Sequence, residues 1–183
     1  MSLSLFDSYT FYGSFHHDII NKWIHIVCIW PILISGLVLI AWSTPESSSI
    51  DYALLVAVVY ASYYAVVEQP GYAGPCASCL VLLGYQFALH VTSGLYDPQF
   101  VWYVAIITHV GGWLAQFYGH GVHEGRSPAL LSNLYQALLM APLFVLLEIF
   151  FMFGYKQQFQ NKAEKVIAAN VKAFRSSKSK KDQ

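Results

Sequence analysis

Five apolar stretches separated by short polar links dominate the chain. Ile26–Trp42 is uncharged for 17 residues, Tyr52–Val67 lies uncharged between Asp51 and Glu68, and Gly71–Leu89 follows Gln69-Pro70. Phe100–Gly119 is interrupted by His109 alone, and Leu134–Tyr155 carries Glu148 and, mid-run, Ala141-Pro142. A membrane-crossing helix needs about 20 mostly apolar residues, with a usual range of about 17–25. The pattern therefore predicts four or five helices that cross or enter a bilayer. Ser43–Ile50 and Thr92–Gln99 hold the Pro, Gly and Asp residues that break helices. Backbone in lipid must be internally bonded, as helices or closed barrels, and the alternating strands of a barrel are absent. The expected fold is an all-α, polytopic membrane helical bundle.

Composition sharpens that picture. Hydrophobic residues make up 56% of the 183 positions and charged ones 11%, against roughly 25% charged in a soluble domain. Mean hydropathy is +0.47. Such a chain lacks the charge to cover a soluble surface or to bind nucleic acid through a broad basic face. The net charge of zero hides an asymmetry: eight Lys/Arg against Glu164 and Asp182 give residues 156–183 a charge of +6, leaving −6 on the rest. Two parts follow, a single membrane-embedded bundle over 1–155 and a basic tail over 156–183. The positive-inside bias places the tail in the cytosol. Within it Phe159, Ala163, Val166, Ile167, Val171 and Phe174 recur at helical spacing, as in an amphipathic helix on a membrane surface; a solvated tail is the alternative. Cys28, Cys76 and Cys79 make no disulfide framework, and residues 1–15 lack the basic start of a signal peptide.

Seven histidines are many for so apolar a chain. His16 and His17 precede the first apolar stretch and His25 sits at its mouth. His120 and His123 follow the fourth, beside Glu124 and Arg126. Ionisable groups at membrane depth are costly and default to functional sites. Asn21 and His25 share a helix face, as do Gln116, His120 and Glu124 at spacings of four. His16 and His25 are half a turn out of phase, so they converge only if the chain bends between them. Imidazoles suit Fe, Zn, Cu and Ni, and Glu124, Gln116 or Asn21 is placed to accept a ligand's second N–H. From the residues alone, a metal site and a cluster of interfacial polar groups both remain open. His90 and His109, alone in apolar runs, read as bundle histidines bonded to neighbours.

Two blocks carry a resemblance. Phe11-Tyr-Gly-Ser-Phe-His-His-Asp-Ile-Ile-Asn-Lys-Trp-Ile-His25, followed by Pro31, resembles the aromatic–His–x4–Asn–x3–His motif of the fungal-type 2-hydroxy-palmitic acid dioxygenase family. Gly112–Leu130, containing Gln116-Phe-Tyr-Gly-His120 and Glu124, is similar to that family's second block, which continues through Asn133, Gln136, Pro142 and Glu148. The resemblance implies an endoplasmic-reticulum membrane enzyme of fatty acid α-oxidation that needs Fe(II). The family's motif histidines fall on His16, His25 and His120, which become the metal ligands, with Glu124 and Asn21 as motif polar residues; Glu124 is then expected to join the histidines in catalysis, and Asn21 and Gln116 to face the cofactor. His123 stands where the family often has an apolar residue. The Cys76-Ala-Ser-Cys79 run matches no family motif.

The resulting expectation is an enzyme that shortens long-chain 2-hydroxy fatty acids by one carbon with O2. The acyl chain would lie among apolar helices, in a slot shaped by Trp23, Trp30, Trp113 and Tyr118. Rival readings are a bis-histidine haem protein using His90 and His109, and a lipid-binding protein without turnover. An even number of passes between His25 and His120 keeps them on one face. Lys180-Lys181 resembles a cytosolic dilysine retrieval signal. With the site on that same side, Leu134–Tyr155 is expected to break near Pro142 into a re-entrant pair.

Overall fold

The computed structural model describes residues 4–128, 134 and 136–179. Asn133, the Gln136 side chain and Lys180-Lys181 lie outside the described residues. All regular structure among those residues is helical: α1 (Leu5–Phe15), α2 (Ile19–Ser43), α3 (Tyr52–Val67), α4 (Ala73–Thr92), α5 (Pro98–Tyr118), α6 (Ala141–Met152) and α7 (Gln157–Ser179). Short polar residues start four of them. Ser4, Asp18, Asp51 and Asp97 each accept from a free N–H in the first turn, with Pro98 opening α5. Asp51 also accepts from the Tyr85 hydroxyl at 2.6 Å, tying α3 to α4.

The fold is the helical membrane bundle expected from the pattern. Among the described residues, three helices are long and apolar enough to cross a bilayer, α2, α4, and α5 with its extension to Glu124, or four if the bent pair Ala137–Met152 and Gln157–Ser177 counts as one span. Apolar α3 is shorter at 16 residues. The start of α2 and the end of α5 lie together, with the His25 and His120 rings 4.9 Å apart. Central α2 packs on α3, α4, α5 and α6. Small residues permit close approach; a Cβ on Gly74 would clash with the Tyr64 carbonyl.

The fifth apolar stretch differs from the expectation. No re-entrant pair forms about Pro142. A π-helical turn, Gln136–Met140, leads into α6, where Pro142 occupies the first turn. Proline has no N–H to donate back along the chain. In compensation the Tyr60 hydroxyl donates to the Leu138 carbonyl at 3.0 Å, and Tyr64 to that of Leu139 at 2.7 Å. Even with the π-turn, the helix Ala137–Met152 falls short of the usual range of about 17–25 residues for a crossing, and every residue from Ala141 to Glu148 is buried. It is a core helix. The sharp bend, 116°, comes between Met152 and Gln157, where Gly154 and Lys156 have positive φ. There the fully buried Glu68 carboxylate accepts from Lys156, from the Tyr155 hydroxyl at 2.8 Å and from the Gly74 N–H at 3.1 Å.

Past that elbow, α7 lies along α1. The periodic apolar face read as membrane-seeking is largely spent on protein: Ala163, Ile167 and Val171 are buried. Gly13 gives Ile167 room, because a Cβ there would clash with it. Phe159 packs edge-on to Phe6 at 5.5 Å, and Asn170 donates to the Ser14 hydroxyl at 3.0 Å. Because α1 ends just before His16 and α7 packs on it, α7 lies at the same end of the bundle as the histidines.

Candidate metal centre

The chain bends where convergence of His16 and His25 requires it. Helix α1 stops at Phe15, and Asp18 caps α2, which restarts at Ile19. His120 arrives from the end of α5, where a π-helical turn, Gly119–Glu124, widens the coil before Gly125 reverses the chain at φ 62°. Such turns concentrate at functional sites. The imidazole centroids lie 4.2 Å (His16–His25), 4.8 Å (His16–His120) and 4.9 Å (His25–His120) apart. All three residues are buried, and one nitrogen from each lies within 4.8 Å of the others.

Backbone carbonyls fix two of the rings. His16 Nδ1 donates to the Tyr12 carbonyl at 2.7 Å, and His25 Nδ1 to the Asn21 carbonyl at 2.9 Å. Each Nε2 is thereby left with a lone pair, the arrangement that orients metal-bound imidazoles. His120 Nδ1 is buried with no hydrogen-bond partner among the described residues. An orphaned nitrogen beside two pre-set imidazoles costs stability unless something binds it. The donor set fits a borderline transition metal. Burial, then the neighbouring His25 and His120, holds His16 well below the ordinary histidine range, so it stays in the neutral form that ligates.

The other expected polar residues surround this triad in different ways. The Glu124 carboxylate accepts from the backbone N–H of His17 (3.1 Å) and Asp18 (2.9 Å) and from Asn21 Nδ2 (3.2 Å). It clamps the π-turn onto the start of α2. Asn21 is fully buried and also donates to the Phe15 carbonyl, so it bridges α1, α2 and the π-turn. Gln116 is buried with an unpartnered Nε2. It lines, with the three histidines, a cavity of about 40 Å³, room for a few water-sized groups. Arg126, beyond Gly125, donates to the Ser14 carbonyl and stacks on Phe15 and Phe174 at 3.5 and 4.4 Å. It pins the segment after the π-turn to α1 and α7.

The remaining histidines stand apart. His17 is exposed, and His123 packs edge-on to Tyr118. His109 Nδ1 faces the Ile32 carbonyl and Ser35 hydroxyl, while its Nε2 accepts from the Trp113 indole at 3.2 Å. Exposed His90 meets Tyr96. A bis-histidine haem site at 90 and 109 is thereby disfavoured. Of the four aromatics expected at a slot, only Trp113 lines the cavity; Trp23 and Tyr118 are exposed and Trp30 packs on the core.

Comparison with known proteins agrees with this geometry. The family model described as "2-hydroxy-palmitic acid dioxygenase Mpo1-like" matches residues 3–153. The chain belongs to the Mpo1-like family. It is 33% identical over 145 residues to the 2-hydroxy-palmitic acid dioxygenase MPO1 of Saccharomyces cerevisiae, covering 79% of each chain. No solved structure matches. The Mpo1-like span contains all three buried histidines with Asn21, Gln116 and Glu124. It also contains a residue that sequence reasoning passed over. Tyr12 stacks on His16 at 4.0 Å, lines the cavity and has a fully buried hydroxyl without a partner among the described residues. Burial, then Glu148, pushes this phenol well above its ordinary pKa, so it remains a donor. Its four-residue spacing from His16 was the available signal.

Proposed function

We propose that this chain is an Fe(II)-dependent dioxygenase of the endoplasmic-reticulum membrane that oxidatively decarboxylates long-chain 2-hydroxy fatty acids. The observation that carries the reading is the convergence of buried His16, His25 and His120, within a chain of the Mpo1-like family. His16, His25 and His120 would hold the iron, which when bound supplies redox chemistry and a place to bring O2 and a hydroxy acid together. Overall, R-CH(OH)-COOH and O2 become R-COOH, CO2 and H2O. The substrate supplies all four electrons, so neither 2-oxoglutarate nor a nicotinamide is required as reductant.

The chain's own residues prepare the ground for this reaction. The carbonyls of Tyr12 and Asn21 hold two imidazoles in one tautomer. Glu124 and Asn21 keep α1, α2 and the π-turn in register. Tyr12 and Gln116 offer unpartnered donors to an anionic head group. Apolar walls from Phe11, Ile29 and Phe117 exclude bulk water. In this reading the unit over 1–155 is catalytic, and the basic segment from 156 lies on the cytosolic side with the site.

The test is purified protein with ferrous iron, O2 and 2-hydroxy-palmitate, following oxygen uptake and the C15 acid. We expect turnover that a chelator removes and iron restores. Turnover of plain palmitate at the same rate, or an absolute need for 2-oxoglutarate or NADPH, would overturn the reading.

A further inference from the structure

The histidine cavity has a neighbour. A second, mostly apolar cavity of about 210 Å³ adjoins it and shares Ile29, Trp113, Gln116, Ala137 and Ala141 as walls. From there it follows one stripe of α2, past Leu33 and Gly36, to Ile40. Those positions recur at intervals of three and four, so they line one face of the helix. Val56 and Tyr60 of α3 and Leu138 form the opposite side.

Its length is set by helix geometry. Ile29 to Ile40 is eleven residues, ~16.5 Å at 1.5 Å per residue. An extended polypeptide advances ~3.3–3.6 Å per three-bond residue, so an all-trans chain gains ~1.2 Å per bond. The stretch of α2 that lines the cavity therefore matches about 14 carbon–carbon bonds. Gly36 lies seven residues from Ile29, ~10.5 Å along. It presents no side chain, and the first atom that a Cβ there would meet is His109 Cε1 at 3.5 Å. That wall is fixed, because His109 is bonded to the Ile32 carbonyl and to Trp113.

We propose that this cavity seats the acyl chain and measures it. The carboxyl end lies at the histidines, the chain passes over Gly36, and its methyl end meets Ile40 and Val56. The proposal rests on the dioxygenase reading for the identity of the head group. It adds that length selection is built from α2: Gly36 keeps the slot open and Ile40 closes it. A larger outer groove between α2, α4 and α5, lined by Phe87 and Val104 among others, does not touch the histidines.

Two measurements test the slot. In the first, kcat/KM is compared across 2-hydroxy acids of different length for wild type, Gly36→Leu and Ile40→Ala. Gly36→Leu should lose about 10–200-fold on the C16 acid, the usual scale for blocking a methylene site, while keeping activity on acids about five carbons shorter. Ile40→Ala should shift preference the other way. Equal losses at all lengths, or no shift in either variant, would overturn the slot. The second uses wild-type protein and 2-hydroxy-palmitate carrying a diazirine at its methyl end. Labelling should fall at Ile40 or Val56; labelling at Phe87 or Val104 instead would overturn it. Photolabelling needs no turnover. Slot labelling by a protein that oxidises no hydroxy acid would sink the dioxygenase reading and leave the slot standing.

Discussion

The Glu124 carboxylate accepts from the Asp18 N–H at 2.9 Å, so the residue that ends the π-turn also holds the start of α2. Together with the His17 and Asn21 donors, it occupies the amide-rich N-terminus of a 25-residue helix, where a negative charge is favoured. Its carboxylate therefore acts on ring placement, through the segments that carry His16, His25 and His120. Glu124→Gln keeps the shape but removes the charge and turns an NH2 toward donors. We expect iron affinity to fall about 10–100-fold, as for other residues that orient ligands. Iron titration of purified protein checks this, and unchanged affinity would contradict the clamp.

Removing a proposed ligand should be harsher. Replacement of His16, His25 or His120 by Ala should abolish most bound iron and oxygen uptake while the protein still accumulates in membranes. Replacing His17 or His90 should do neither, because both are exposed and lie outside the cavity. Metal analysis of each variant decides the point. Full iron content in His120→Ala would refute the ligand set.

Much of the bundle was legible because each signal was local. The uncharged runs and the breakers between them mark α2 to α5, and Tyr52–Val67 matches α3 residue for residue. The triad was legible conditionally: phase arithmetic required a bend between His16 and His25, and the Asp18 cap supplies it. Other features depend on tertiary partners. The period of α7 shows that one face is buried, but a 3.6-residue repeat cannot say whether lipid or α1 covers it. The role of Glu124 was hidden because its partners include backbone N–H groups. Around Pro142 the expected break fails because Tyr60 and Tyr64, far away in sequence, bond the Leu138 and Leu139 carbonyls.

Close approach at the π-turn gives a sharper test. A Cβ on Gly119 would clash with the Asn21 Oδ1, and Asn21 is fully buried. Gly119→Ala should push the π-turn away from α2 and carry His120 out of reach. Gly121, whose Cβ position is open, serves as the control. We expect iron content and activity to collapse in Gly119→Ala and to survive in Gly121→Ala. Equal behaviour of the two would show that the turn tolerates displacement.

The packing of α7 on α1 makes the proposed sidedness testable. If site and tail share the cytosolic side, protease added to sealed microsomes should cleave the tail beyond α7 without detergent. His17, exposed at the α1–α2 junction, should be replaceable by Cys and modified by an impermeant maleimide under the same conditions. Protection of both would place site and tail in the lumen. Protection of one alone would contradict the packing.

Tyr12 and Gln116 make the last prediction. Each is buried, each lines the histidine cavity, and neither the Tyr12 hydroxyl nor Gln116 Nε2 has a partner among the described residues. A buried donor left unpaired costs about 1–3 kcal/mol, so removing it should not destabilise the resting protein. Tyr12→Phe keeps the ring stacked on His16, and Gln116→Met keeps the side-chain length. If the two donors meet the carboxylate of the substrate, each loses a hydrogen bond to a charged group, worth about 1.5–3 kcal/mol. That corresponds to roughly 10–150-fold in binding, since a tenfold change is about 1.4 kcal/mol. The expected result is a raised KM for 2-hydroxy acids, with unchanged iron content and a thermal midpoint equal to or above wild type. A purely structural role would lower the midpoint and leave KM alone. Unchanged KM in the double variant would show that the head group sits elsewhere.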